Sequence, residues 1–366
     1  MPDYDYLIVG AGLFGSTFAY QMTKQGKRCL VIDQRSHTGG NCHTSNQDGI
    51  IVHDYGAHIF HTSNQRVWDF VNQFGEFNHY INQPIAMVEG VPYNMPFNMN
   101  MFSRVFGVTK PSEAFDIIEE ETKPYQTLVP KSLEDQALQM VGKTIFEKFI
   151  RGYSEKQWGS PCSDLPASFI KRLPLRFTYD NNYYDDTYQG IPIDGYSGLF
   201  DRMLRGIEVE VNVKYNEVKS HIEAKKTIYT GMIDEFFDFQ FGSPEYRSLH
   251  FVHLYKDCYN YQGCAVINYP GLDVPYTRSI EHKHFALDTT SPTTIVTYEF
   301  PVPYKEGLIP YYPVGNSRDV KIYDKYLTLA SQMSNIVFAG RLGSYQYYDM
   351  DDTIDHALQL ADKELQ

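Results

Sequence analysis

"DYLIVGAGLFGSTFAYQMTKQGKRCLVID" (Asp5–Asp33) decides the fold. "YLIV" is a continuous apolar run, as expected of a parallel strand buried on both faces. Gly10, Gly12 and Gly15 then give G-x-G-x-x-G at the turn, and the spacing predicts a helix running to about Gln25 and stopped by Gly26. "RCLVI" reads as a second strand ending in Asp33, 18 residues after the last glycine. In such a unit the glycines let the backbone approach a pyrophosphate, and the helix N-terminus stabilises its charge. The acid accepts from a ribose hydroxyl. A glycine pattern alone is weak; one set between a strand and a helix, with an acid at this distance, predicts a dinucleotide site.

The next stretch, "RSHTGGN", separates the dinucleotides. A nicotinamide-binding unit has no need of a glycine pair just after the acid. FAD proteins of the glutathione-reductase and amine-oxidase type resemble the chain here, with Gly39 and Gly40 running close to the cofactor. No second G-x-G-x-x-G after a strand occurs downstream, so the expectation is FAD without a built-in nicotinamide domain.

At 366 residues two or three domains are expected. A net charge of −13 argues against nucleic acid or an anionic membrane as main partner. It leaves room for an anionic small molecule, since a few local arginines override the global field. Five cysteines without C-x-x-C fit reduced thiols. The opening "MPDYDY" lacks the apolar core of a signal peptide, and no apolar run approaches the ~18 residues of a membrane span. A cytoplasmic protein is expected. The unusual number is 30 tyrosines against two tryptophans. Most suit sheet packing; some could grip a polar ligand through their hydroxyls.

From about Met99 to Gln157 the pattern is helical, with Ser112 and Ser132 as plausible caps. From about Val209 to Tyr312 short β-rich runs dominate. "NIVFAG" (Asn335–Gly340) returns to a buried parallel strand, and "DTIDHALQLADKEL" is a closing amphipathic helix. The fold expected is α/β: a discontinuous Rossmann-like FAD-binding domain (1–75, 190–240, 317–366), a helical insert (98–165) and an antiparallel sheet domain (76–97, 241–316), with 166–189 a sheet segment or mobile loop.

Ten stretches together resemble the UDP-galactopyranose mutase family: "IVGAGLFG", "GGN", "YGAHIFHT", "PFNMN", "GYSEKQWG", "RFTYDNNYY", "YRSLHF", "VPYTRSIEHKHF", "PYYPV" and "GRLGSYQYYDMD". They span residues 8–351, and "EKQW" and "YYDMD" are far more specific than the glycine motif. Many reductases end the last FAD strand in Gly-Asp; Gly340-Arg341 departs from that and agrees with the mutases.

The resemblance implies a redox-neutral isomerase that interconverts UDP-galactopyranose and UDP-galactofuranose for surface-glycan synthesis. N5 of reduced FAD attacks the anomeric carbon, UDP leaves, the sugar ring opens and recloses, and UDP returns. It implies an external reductant, such as NAD(P)H or a reduced flavin, and a homodimer. For the cofactor it implies Gly10, Gly12, Phe14, Gly15, Asp33, Gly39, Gly40, Asn41, His58, Arg341 and Met350. For substrate it implies Asn82, Phe149, Tyr153, Trp158, Tyr183, Tyr312, Tyr347 and Asp349, with the Trp158 indole on uracil. Arg172, Arg278 and His61 would be catalytic, the arginines as cations at the diphosphate. Arg176 competes with Arg172 for that role, and spacing does not separate them. Asp351 and Asp352 suit the N-terminus of the closing helix. His58 and His61 lack a third ligand of suitable spacing, so no metal is expected. The rival reading is an FAD-dependent oxidoreductase of the amine-oxidase or reductase type, which the glycine motif supports equally well.

Overall fold

A computed structural model describes residues 2–126, 129–170, 175–288 and 290–366. Two compact units share the chain. The first takes Met1–His79, Asp186–Tyr246 and Ile309–Gln366; the second takes Tyr80–Asp185 and Arg247–Leu308.

The first unit is built on a parallel sheet of β1 (Tyr4–Val9), β2 (Cys29–Asp33), β3 (Glu208–Val211), β4 (Ala224–Tyr229) and β5 (Ile336–Phe338), in the order β5-β4-β1-β2-β3. β1 and β2 are central, which explains their unbroken apolar runs: Ile8, Val31 and Ile32 are fully buried. The opening helix Leu13–Lys24 and the closing helix Met350–Glu364 bury their apolar stripes in one cluster, through Phe18 and Met22 from one and Ala357 and Ala361 from the other. Both chain ends therefore complete one domain. One expectation changes: the "NIVFAG" strand is not buried. β5 lies at the sheet edge, and Ile336, Val337 and Phe338 are all partly exposed.

The second unit joins an antiparallel sheet to a helical cluster. Its strands run in the order Tyr246–Lys256, Thr294–Pro303, Arg278–Glu281, Val266–Asn268, Ile85–Val88, Val91–Asn94. The first two pair over ten residues, from Arg247↔Pro303 to Lys256↔Thr294. Helices Met99–Phe106, Pro111–Thr122 and Leu133–Ile145 pack around Met101, Phe102, Ile118 and Phe146. Ser132 caps its helix with Asp135, as the sequence predicts. Ser112 does not cap the helix before it. Pro111 occupies the first turn, Lys110 is the N-cap residue, and the Glu113 carboxylate accepts from the Thr109 and Lys110 N–H groups at 3.2 Å each. The helical pattern expected to about Gln157 is interrupted after Ser132. Gly142 sits at φ 75°, ψ 178°, and residues Phe146–Ile150 form a π-helical turn before Arg151–Trp158. The Glu121 carboxylate covers the broken end by accepting from the Thr144 N–H at 2.8 Å. Among the described residues no helix is long and apolar enough to cross a membrane.

Candidate functional site

The first unit holds a cavity of about 260 Å³ at the C-terminal ends of β1, β2 and β4. This is where open α/β sheets take ligands. The two glycine motifs meet there. The Gly39 N–H donates to the Ala11 carbonyl at 2.8 Å, and a Cβ on Gly40 would stand 3.1 Å from the Gly12 Cα. Gly10, at φ 108°, has no room either: a Cβ would fall 2.1 Å from the Thr230 Oγ1. Asp33 is 8% exposed; its carboxylate accepts from the Ala11 N–H and the Arg35 N–H, each at 2.8 Å. Every residue that the sequence reading gives to the cofactor lines this cavity: the four positions from Gly10 to Gly15, Asp33, Gly39 to Asn41, His58, Arg341 and Met350.

The residues fit a dinucleotide on two further observations. The opening helix has no side-chain cap at Gly12 and no acid in its first turn, so its leading N–H groups are left to an outside anion. Arg35 also lines the cavity. It donates through Nη2 to the Asn41 Oδ1 at 2.8 Å and lies 4.7 Å above the Tyr55 ring, while its buried Nη1 finds no partner among the described residues. The sequence reading did not name Arg35. Its signal was there, a cation two residues past the ribose-reading acid.

On the same unit Arg341 is held over two phenol rings, with its guanidinium carbon 4.8 Å from the Tyr347 centroid and 5.5 Å from that of Tyr312. It donates to the Tyr311 carbonyl at 3.3 Å and the Tyr348 carbonyl at 2.5 Å. The Tyr347 ring is 47% exposed beside that cation. Asp349, expected toward the substrate, is the N-cap of the closing helix in a reciprocal box with Asp352. Asp351 and Asp352 occupy the first turn as expected. Burial raises the Asp351 carboxyl above the usual range, against a hydrogen bond from Thr62.

The two histidines of "GAHIFHT" separate. His58 reaches the cavity and bonds the Gly56 carbonyl through Nδ1 at 2.8 Å, so that nitrogen carries the proton. His61 is not in the lining. Its Nδ1 pairs with the Asp186 carboxylate at 2.7 Å, which in turn accepts from the Ser63 hydroxyl.

The second unit carries the other candidates. Asn82 is buried, and its carbonyl accepts from the Tyr183 N–H at 2.9 Å, which ties those two together. Trp158 packs against Phe169, with centroids 4.2 Å apart and the planes tilted by 35°. Phe149, given to substrate by the resemblance, lies in the π-helical turn Phe146–Ile150. Its ring packs edge-on against Tyr93 (5.0 Å) and Phe97 (6.3 Å) in the core. Tyr153 is half-buried on the helix Arg151–Trp158. Arg278 is fixed by Glu299 through Nε–Oε1 at 3.0 Å and Nη2–Oε2 at 2.8 Å. Arg176 is taken up locally, with donors on the Asn182 and Tyr183 carbonyls and on Asp185. Arg172 lies outside the described residues.

The sheet, the paired glycine motifs and the open helix end define a Rossmann-type dinucleotide-binding protein. A profile of NAD(P)-binding Rossmann-like domains matches residues 8–74, and the profile described as UDP-galactopyranose mutase matches residues 148–347. Over 372 residues the chain is 40% identical to a probable UDP-galactopyranose mutase of Klebsiella pneumoniae, covering 99% of this chain and 95% of that one. It is also 40% identical over 366 residues to a dTDP-fucopyranose mutase of Escherichia coli, covering 97% of each. A crystal structure of a reduced UDP-galactopyranose mutase superposes with a TM-score of 0.78 at 16% identity, over all of this chain and 94% of that one, a likeness of fold. The chain belongs to the UDP-galactopyranose mutase family and is an isomerase of that kind.

Proposed function

We propose that the chain interconverts UDP-galactopyranose and UDP-galactofuranose on a bound FAD that an external reductant, NAD(P)H or a reduced flavin, keeps reduced. The observation that carries this reading is the cavity itself: two glycine motifs, an uncapped helix N-terminus and an Arg35 nitrogen with no partner among the described residues, in a chain of this family. When bound, reduced FAD supplies a nucleophile to the anomeric carbon and is regenerated unchanged.

The chain's own residues do the rest. The helix N-terminus at Leu13 and the guanidinium of Arg35 hold the cofactor's anionic half, and Asp33 accepts from its ribose. Arg341 holds the inner edge, and His58 presents its second ring nitrogen to the cavity. Arg278 and Arg172 stabilise the diphosphate as the glycosidic bond breaks, the step at which charge develops on it. Tyr183, Tyr312 and Tyr347 donate to the diphosphate, Asn82 holds the uridine, and Trp158 stacks on the base. The enzyme acts in the cytoplasm as a homodimer and feeds galactofuranose to surface glycans.

Equal identity to the dTDP-fucopyranose mutase supports a second reading with a 6-deoxy sugar on a thymidine diphosphate. Pre-reduced protein incubated with UDP-galactose should give a furanose product without net consumption of reductant. Turnover of dTDP-fucose alone would select the second reading. Reductant oxidised in step with product would reject both and revive the oxidoreductase.

A further inference from the structure

The lysine of "EKQW" has no part in the reading above, although it lies two residues before Trp158. Its ammonium enters a nest of backbone carbonyls from the loop Tyr269–Tyr276, which joins strands Val266–Asn268 and Arg278–Glu281. Lys156 Nζ donates to the carbonyls of Tyr269 (2.6 Å), Gly271 (2.6 Å), Tyr276 (3.0 Å) and Val274 (3.2 Å). Four acceptors around three N–H groups leave no donor for a ligand, so Lys156 is not a substrate cation. Instead it organises a loop whose carbonyls would otherwise converge on each other with no donor between them.

That loop lies flush on the helix Arg151–Trp158. A Cβ on Gly152 would stand 2.3 Å from the Pro270 carbonyl oxygen, which leaves glycine as the residue that permits the approach. The helix end is tied to the same sheet twice more. Arg247 Nε donates to the Gln157 carbonyl at 2.9 Å and its Nη2 to the Lys156 carbonyl at 3.2 Å, while the Thr277 hydroxyl donates to the Gln157 Oε1 at 3.4 Å. Thr277 is followed directly by Arg278. Trp158 and Arg278, two of the groups given to the ligand above, thus sit at opposite ends of one lysine-centred clamp.

We infer that Lys156 is a positioning residue that sets the register of Trp158 against Arg278 and so sets the affinity for the nucleoside diphosphate. This rests on the sugar-nucleotide reading above. A structural lysine would support the stability of the unit. A positioning lysine must also move ligand affinity in protein that remains folded, because displacing a binding group by a fraction of an ångström lowers affinity without unfolding anything.

The experiment measures UDP affinity by calorimetry on the FAD-loaded protein. Lys156→Met keeps the aliphatic stem and removes every donor. Its affinity should fall about tenfold or more while FAD content stays at the parent level. In Lys156→Ala, n-propylammonium replaces the lost atoms, and adding it should restore much of the affinity; sodium at equal ionic strength should not. Lys156→Gln keeps two donors without the charge and covers failure of the methionine variant to fold. It should weaken UDP binding by a smaller factor. Parent-like affinity in folded Lys156→Met or Lys156→Gln overturns the proposal, as does an alanine variant indifferent to propylammonium. A parent protein that binds neither UDP nor dTDP overturns the sugar-nucleotide reading, and the proposal with it.

Discussion

Arg278 is bound edge-on by Glu299, a carboxylate with no solvent exposure: Nη2 stands 2.9 Å from one oxygen and 2.8 Å from the other. A cation proposed to meet a diphosphate is therefore already half-neutralised. The pair is better understood as fixing the guanidinium plane than as storing attraction for substrate. Breaking such a pair from one side leaves a charge unmatched, a loss of ~3–5 kcal/mol. Glu299→Ala should lower the unfolding free energy on that scale, as read by denaturant titration. Arg278→Ala should lower kcat by roughly 10²-fold, the scale for one charge-stabilising group. Arg278→Lys should recover little of it, since an ammonium cannot keep the two-pronged contact. A lysine variant with parent activity would remove the orientation argument.

The glycine loop allows folding and cofactor binding to be separated. A Cβ on Gly15 would fall 1.9 Å from the Gly10 carbonyl, so Gly15→Ala should disrupt the turn itself and yield unstable, FAD-free protein. Gly12 differs. A Cβ there meets nothing closer than the Gly40 Cα at 3.8 Å, although the residue lines the cavity. Gly12→Ala should fold with a parent-like thermal midpoint and bind FAD more weakly, by about tenfold on the usual cost of losing a close backbone contact. The check is flavin absorbance per chain alongside circular dichroism. Equal FAD content in Gly12→Ala and parent would place the pyrophosphate elsewhere.

The parallel half of the fold was legible because its signals are local. A buried strand, a glycine turn and an acid at fixed spacing are set by backbone sterics; the distant lining residues His58, Arg341 and Met350 came from the family resemblance instead. The helical segment was less legible. The stretch from Ser132 to about Gln157 reads as helical throughout, because nothing in "MVGKTIFEKFI" announces that Gly142 leaves helical space or that Glu121, more than twenty residues earlier, will cover the break. Nor does anything announce the π-helical turn that carries Phe149, whose ring packs in the core cluster that Trp158 also touches. The cap of the closing helix was not legible: three acids in "DMDD" compete for it, and only the helix start decides that Asp349 takes it. Lys156 shows no signal at all, since its partners are carbonyls that any sequence supplies.

His282 should govern the onset of acid instability. It is wholly buried, with Nε2 2.6 Å from the Thr297 Oγ1, and burial, helped by nearby His253, lowers its pKa to about 3. The unfolded value is near 6.5. Because the folded pKa is the lower one, the unfolded chain takes up the proton first. Stability is fully present above about pH 6.5 and is lost progressively as the pH falls toward 3, by up to ~1.4 kcal/mol per pH unit. Denaturant midpoints between pH 7.5 and 5 should show that slope in the parent and a flatter one in His282→Gln. Parallel slopes would mean that His282 is not the group responsible.

Trp158 gives the most selective test of the sugar-nucleotide site, since the chain holds only two tryptophans. The other, Trp68, is stacked on Tyr188 at 5.0 Å with the planes within 5°, and belongs to the first unit. If the Trp158 indole carries the uracil on one face while Phe169 backs it, Trp158→Ala removes a base–aromatic contact of ~1–3 kcal/mol. UDP should then bind about 5- to 150-fold more weakly. FAD content should stay normal, because the cavity at the glycine motifs includes no residue of this helix. Phe169→Leu should give a smaller loss, since it loosens the support and leaves the platform. UDP should quench tryptophan fluorescence in the parent, and Trp68 alone should not reproduce the signal in the variant. A packing role would act differently: expression and unfolding cooperativity would drop, and FAD and UDP binding would fall together. Parent-like UDP affinity in folded Trp158→Ala would take this residue out of the site and leave the base to another aromatic.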